Sequence, residues 1–393
     1  MSFSQRLELW PEGRIRNLIQ QATFEDVTRA LTRERLTGED LAALLSPAAS
    51  SRLEEMAQAA LSQTRRYFGR VIGLYAPIYL SNVCTSDCIY CGYAKRSGSP
   101  GLRLTLKPAE IHTECRLLAE YGFQNILLLT GDAPHIAPPR YLVEAVDLAR
   151  EYFSSVSVEV YALDQEDYRQ LVAAGLEGVT LYMETYHRDT YSRVHLCGRK
   201  RDYEYRLGAI ERAGRAGARR LGIGALLGLY DWQVDGFWTA LHARYLQREC
   251  WQSAISVSFP RLKVSTPRFT VPHLLTDREF VQLMLATRLF LPEAGINLST
   301  REPADLRNGL IPLGVTMISA GSSTRPGGYS QDRANILEQF ATVDNRTPAE
   351  VTEAIRRAGY EPVWKDFDKA FHDNVLPIAR SPVHGDSACA PHQ

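Results

Sequence analysis

Ser81-Asn82-Val83-Cys84-Thr85-Ser86-Asp87-Cys88-Ile89-Tyr90-Cys91-Gly92-Tyr93 is the stretch on which the reading of this chain turns. The apolar run Val71–Leu80 before it predicts a strand, so three cysteines at C-x3-C-x2-C spacing fall on the loop at that strand's C-terminal end. Thiolates this close can wrap one face of a [4Fe–4S] cube, each taking one iron. Three ligands leave the fourth iron open, which suits a catalytic cluster that chelates the amine and carboxylate of S-adenosylmethionine. A structural zinc site needs four ligands. The candidates His112 and Cys115 fall on a predicted amphipathic helix, as ordinary helix residues.

Outward from the cysteines, short apolar runs alternate with longer amphipathic stretches. The runs after Val71–Leu80 are 125–130, 155–161, 178–183, 220–225, 254–258, 297–299 and 316–319. Helical spacing fills 108–121, 139–152, 165–174, 202–216, 234–250 and 277–291. Eight strands alternating with helices predict an α/β fold, a closed (β/α)8 TIM-type barrel. The division expected is an N-terminal helical extension of two or three helices over 1–69, the barrel over 70–330, a C-terminal helical segment over 331–375 and a disordered tail over 376–393.

Composition agrees with a soluble globular protein. Of 393 residues, 45 are Lys or Arg and 45 Asp or Glu, so no basic excess favours nucleic acid or an anionic membrane. The N-terminus lacks the basic start and apolar core of a secretory signal, and no window spans a membrane. The expected compartment is the cytoplasm, where clustered cysteines bind metal or do chemistry rather than form disulfides. Seven cysteines, an odd count, point the same way. Cys115, Cys197 and Cys250 have no patterned partners and are expected as buried packing residues.

The cysteine spacing with aromatic Tyr90 before the last Cys resembles the signature of the radical S-adenosylmethionine enzymes. The likeness continues through Glu184-Thr185-Tyr186-His187, residues 256–262, Leu298-Ser299-Thr300-Arg301-Glu302, Pro326-Gly327-Gly328-Tyr329 and Val363-Trp364-Lys365-Asp366. These stretches are similar to the tyrosine lyases of that family that serve thiamine-thiazole synthesis. The resemblance implies a [4Fe–4S] cluster on Cys84, Cys88 and Cys91, and S-adenosylmethionine as cofactor. It implies cleavage of the Cα–Cβ bond of L-tyrosine to 2-iminoacetate and p-cresol. The implied partners are a thiazole synthase and a flavodoxin- or ferredoxin-type electron donor. The rivals that stay open are the tyrosine lyase of [FeFe]-hydrogenase maturation or another aromatic amino acid radical lyase, and a non-enzymatic iron–sulfur or zinc module. The maturation enzymes carry a second cluster on paired C-terminal cysteines, whereas this tail has only Cys389.

A barrel delivers its chemistry at the C-terminal ends of its strands. Thr130-Gly131-Asp132 ends the second predicted strand, and Gly131-Asp132 resembles the family's Gly-Gly-Glu element against the cofactor amine, with Asp one methylene shorter. Glu159 points either inward, toward ribose hydroxyls or the methionyl group, or outward into a buried pair with an Arg. Glu184 is expected to order the rim above the nucleotide. His187 and His195 read as packing and solvent-facing residues. Arg301 is the expected anchor of the substrate carboxylate, with Ser319 as its hydroxyl helper; the alternative is a surface Arg paired to Glu302.

Overall fold

A computed structural model describes residues 1–98, 101–262, 268–330 and 335–364. Its strands are β1 (Val71–Ser81), β2 (Asn125–Thr130), β3 (Ser155–Glu159), β4 (Gly178–Thr180), β5 (Arg220–Gly224), β6 (Ala254–Ser258), β7 (Gly295–Leu298), β8 (Met317–Ser319) and β9 (Glu361–Val363). All pairings between these strands are parallel, and β1 bonds to both β2 and β8, so the first eight strands close on themselves. Helices between strands form the outer layer, as a (β/α)8 barrel requires.

The sequence of β1 explains its place. Ile72, Leu74, Ala76, Ile78 and Leu80 are fully buried in the core between barrel and helices. The alternate residues Tyr75, Pro77 and Tyr79 line the interior. Burial of both faces gives the near-continuous apolar run typical of parallel strands. The register slips between Tyr79 and Ser81, just before the cysteine loop.

Below the active rim the interior is unusual. Barrel centres are normally filled by branched apolar side chains. Here Asn125, Ser155, Ser157, Thr180, Arg220 and Asn297 surround a small cavity of about 50 Å³. Tyr75, Leu127 and Tyr182 line both this cavity and a chamber of about 480 Å³ above it, forming the chamber's floor.

Several elements differ from the sequence expectation. The N-terminal region holds six short helices, because capping boxes at Ser2, Thr23 and Thr37 and the proline-started turn at Pro47 restart the chain repeatedly. The stretch 202–216 is two helices meeting at Gly208. Short helices Arg188–Val194 and Ala304–Leu310 were not expected, and neither was β9, which pairs with β1 outside the closed barrel. The helix Pro348–Arg357 falls where helical spacing predicted one. The tail over 376–393, with Cys389, lies outside the described residues.

The N-terminal helices brace the wall beneath the site. Phe3 stacks on His242 with ring centroids 4.0 Å apart, Trp238 Nε1 donates to the Trp10 carbonyl at 3.0 Å, and Arg16 pairs with Asp231 at 2.7 Å. All three partners belong to the helix Trp232–Glu249 or its cap. Among the described residues no helix is long and apolar enough to cross a membrane.

Candidate active site

The cysteine loop is held from several sides. Buried Asn82 donates to the carbonyls of Leu102 and Leu337 at 3.0 Å each, and accepts from the Leu104 amide at 2.6 Å. Arg103 donates to the carbonyls of Asn82 and Tyr93, both at 2.7 Å. Asp87 takes a two-pronged bond from Arg268 at 2.7 and 2.9 Å, which keeps its carboxyl below the usual range. The chain after β4 lies along the loop, with Leu196 N donating to Asp87 O at 3.0 Å and Ile89 N to Val194 O at 3.1 Å.

Cys84, Cys88 and Cys91 are free thiols, with Cys88 buried. Burial raises Cys84 and Cys91 to about 11 and Cys88 to about 12, and the charge of a neighbouring cysteine in the set adds to each. Among the described residues no three His, Cys, Asp or Glu side chains converge on one metal ion. Three free thiols on one loop at this spacing can offer one sulfur to each of three irons, whereas a structural zinc site needs four ligands.

Cys197, expected as buried packing, instead sits half-exposed against the cluster loop, its thiol 3.6 Å from the Thr85 carbonyl. Cys115 and Cys250 are buried as expected.

The end of β2 meets the loop directly. Gly131 N donates to Ser81 O at 2.9 Å, and a Cβ on Gly131 would lie 2.2 Å from Val83 O and 3.1 Å from Cys84 Cβ. Only glycine fits so close an approach. Ser86 Oγ donates to Asp132 Oδ2 at 2.5 Å. Asp132 Oδ1 and Thr130 Oγ1 are buried with no hydrogen-bond partner. Orphaned buried polar atoms are rare, and these two belong to the residues on either side of Gly131, which packs against the cysteine loop; neither residue lines the chamber that Cys91 borders.

Glu184 lies across the rim with φ of 70°, the one described non-glycine residue with positive φ. Its carboxylate pairs with Lys200 at 2.6 Å and Arg206 at 3.4 Å, and despite burial these cations keep it ionised, its pKa below normal. The next two residues are clamped by Asp235, which accepts from Thr185 Oγ1 at 3.1 Å and Tyr186 N at 2.8 Å. Asp235 Oδ2 is bare, and burial raises this carboxyl to about 7.

The unfolded carboxyl titrates near ~4. The folded state therefore holds a proton that the unfolded chain releases, and stability falls as pH rises through that window, by about 1.4 kcal/mol per unit from this group. Asp235→Asn is expected to remove that contribution. Urea midpoints at about pH 5 and pH 7 check it, and an unaltered slope would refute it.

Tyr90 lines the chamber, and its hydroxyl meets His195 Nε2 at 2.9 Å. His195 Nδ1 lies 2.9 Å from the Tyr191 carbonyl, so that nitrogen carries the proton and Nε2 accepts from Tyr90. Burial holds His195 neutral, its pKa well below normal. It is therefore a packing residue as expected, but fully buried and not solvent-facing. His187 stacks on Tyr230 with centroids 3.9 Å apart.

On the opposite side Arg301 lies over the Phe340 ring, its guanidinium carbon 3.3 Å from the centroid. Among the described residues its guanidinium has no hydrogen-bonded acceptor, and burial lowers its pKa. The alternative pairing with Glu302 does not form, because Arg261 takes that carboxylate in a buried two-pronged bond. Ser319 Oγ is buried beside the Tyr75 hydroxyl, while its carbonyl accepts from Arg307, which also pairs with Asp344. Cys91, Tyr90, Glu159, Glu184, Arg301 and Ser319 thus border one chamber. Glu159 faces it with no arginine bonded to it among the described residues.

Tyr79, Lys200, Asp235 and Phe340 were not anticipated from sequence. Tyr79 donates to Gln339 Oε1 at 2.7 Å, on the segment that roofs the chamber. Lys200 sits in the basic run Arg199-Lys200-Arg201, which reads as a solvated surface stretch. Only the fold turns it inward.

Residues 78–242 match the Radical SAM superfamily, and residues 258–361 match the Biotin and Thiamin Synthesis associated domain. The chain is 43% identical over 360 residues to the 2-iminoacetate synthase of Escherichia coli K12, covering 91% of this chain and 94% of that protein. It is 42% identical over the same length to the 2-iminoacetate synthase of Salmonella typhimurium LT2, with the same coverage. Among solved structures, HydG, a maturase of the [FeFe]-hydrogenase, superposes with a TM-score of 0.83 at 31% identity, covering 90% of this chain and 80% of that one.

Proposed function

The chain belongs to the 2-iminoacetate synthase family of radical S-adenosylmethionine enzymes, and on that premise we propose that it cleaves the Cα–Cβ bond of L-tyrosine. The observation that carries the substrate side is Arg301: a partly buried guanidinium without a hydrogen-bonded acceptor among the described residues, lining the same chamber as Cys91 and Ser319. A planar two-pronged donor with a hydroxyl in the same chamber is the counterpart of an amino acid carboxylate.

Cys84, Cys88 and Cys91 hold the [4Fe–4S] cluster in this reading, and the free oxygens of Thr130 and Asp132 receive the amine of S-adenosylmethionine. When bound, the two would supply a 5′-deoxyadenosyl radical able to take a hydrogen from the substrate amine; the Cα–Cβ bond would then break to 2-iminoacetate and a fragment that becomes p-cresol on gaining one electron from the reductant and one proton. The chain's own share is placement. Arg301 and Ser319 fix which substrate hydrogen faces the radical. Tyr90 and Glu184 shape the wall nearest the cysteines, and Lys200 keeps Glu184 ionised and in place. Phe340 and Gln339 roof the chamber and exclude water, which protects a radical from side reactions.

An electron donor of flavodoxin or ferredoxin type reduces the cluster in this reading, a thiazole synthase consumes the imine, and the setting is the cytoplasm, which keeps thiols reduced. The maturation reading is weaker, with 31% identity to HydG against 43% to the synthase.

Anaerobic reconstitution with S-adenosylmethionine, a reductant and tyrosine should yield deoxyadenosine and p-cresol together. Deoxyadenosine without p-cresol would remove tyrosine as the substrate while leaving the superfamily chemistry. Capture of the chain by thiazole synthase tests the partner.

A further inference from the structure

Glu159 ends β3 with its carboxylate facing the chamber and without a hydrogen-bond donor among the described residues. In the closed strand order, β3 and β7 stand across the barrel from each other. Arg301 follows β7 by a short step, so besides the Glu184–Lys200 pair the chamber has, on one wall, a cation without a hydrogen-bonded acceptor and, on the other, a carboxylate without a hydrogen-bonded donor, among the described residues. Between them the lining is apolar and aromatic: Leu127 and Leu129 from β2, over the floor tyrosines Tyr75 and Tyr182. The Glu159 charge is felt by Tyr75, Tyr79 and Tyr182, which surround it.

A ligand with its carboxylate on Arg301 and a ring along the leucines would bring the ring's far substituent to Glu159. We propose that Glu159 determines specificity by accepting a hydrogen bond from the phenol hydroxyl of the substrate. This rests on the tyrosine lyase reading and adds to it how a hydroxylated ring is told from a plain one. It departs from the sequence expectation, which set Glu159 against the cofactor. Asp132 Oδ1 and Thr130 Oγ1 already offer bare acceptors beside the cysteine loop.

Burial and the nearby Glu184 charge raise Glu159 to about 7. A carboxylate this short of donors gains from a hydroxyl. A site built around a substrate hydroxyl rejects the analogue lacking it, because a buried acceptor is then left unpaired.

The test uses reconstituted full-length protein and measures equilibrium binding of L-tyrosine, L-phenylalanine and S-adenosylmethionine. The native chain should favour tyrosine over phenylalanine by about 10- to 100-fold, the range of a hydrogen bond to a charged group. Glu159→Leu should lose most of that preference through weaker tyrosine binding, with S-adenosylmethionine affinity held within about twofold. Glu159→Gln keeps the shape with a neutral acceptor, should lose about 3- to 10-fold, and decides the matter if the leucine variant fails to fold by circular dichroism. Unchanged discrimination would overturn the proposal. So would weakened S-adenosylmethionine binding with tyrosine unaffected, which would make Glu159 a cofactor residue. p-Cresol production by the native chain is scored separately, so loss of the lyase reading is distinguishable from loss of the Glu159 assignment.

Discussion

Cys88→Ala yields a folded chain that no longer retains a [4Fe–4S] cluster or cleaves S-adenosylmethionine. Changing a residue that merely supports a metal ligand costs ~10- to 100-fold, and removing one of three ligands exceeds that, taking deoxyadenosine formation to background. Folding survives because the loop is held by Asn82, Arg103 and the Asp87–Arg268 pair rather than by the thiols. The lost sulfur removes roughly 1 kcal/mol of buried apolar contact. Iron per chain after anaerobic reconstitution, the broad iron–sulfur absorbance and the thermal midpoint report the three parts separately. Cys197→Ala is the control. Its thiol also touches the loop, through the Thr85 carbonyl, but lies outside the C-x3-C-x2-C set, and the variant should keep its iron. A Cys88→Ala protein that still cleaves S-adenosylmethionine would defeat the cluster assignment.

That expectation was legible in the sequence because everything it needs is local. A strand signal, three cysteines and an aromatic lie within one short stretch, and spacing there fixes which atoms can meet. Glu159, Thr130 and Arg301 were legible at one remove, since a barrel brings strand ends to one rim whatever the helices between them do. Lys200 and Asp235 were not. Lys200 reaches Glu184 only because the turn after Gly198 points this lysine inward while Arg199 and Arg201 stay exposed. Asp235 sits on a helix whose face toward Thr185 depends on Phe3, Trp10 and Arg16 from the far N-terminus. The three-residue β9, with Pro362 in its middle, has too little length for periodicity and exists only by pairing with β1. Capping residues, by contrast, were visible, but their number was underread, so six N-terminal helices appeared where two or three were expected.

Arg301→Gln separates binding of the substrate carboxylate from folding. Truncating one partner of a buried, hydrogen-bonded charge pair costs about 2–5 kcal/mol, so the KM for tyrosine should rise by roughly 30-fold to several thousandfold. Stability should hold or improve. In the free chain the guanidinium lacks a hydrogen-bonded acceptor among the described residues, and only the Phe340 ring and the charges of Glu184 and Glu159 offset its desolvation, a cost that glutamine relieves. S-adenosylmethionine affinity should stay near native, because the bare oxygens of Thr130 and Asp132 lie at the end of β2 while Arg301 follows β7. The chemical signature is uncoupling: deoxyadenosine continues to form slowly while p-cresol falls further, because a tyrosine no longer fixed at its carboxylate presents the wrong hydrogen. Arg301→Lys should recover only part of the loss, since a point charge cannot reproduce the two-pronged bond. A Gln variant with native KM and native coupling would move the carboxylate anchor elsewhere in the chamber. A variant that fails to fold would mean that the stacking on Phe340 holds the roof segment in place. Thermal midpoints measured beside the kinetics distinguish the two outcomes.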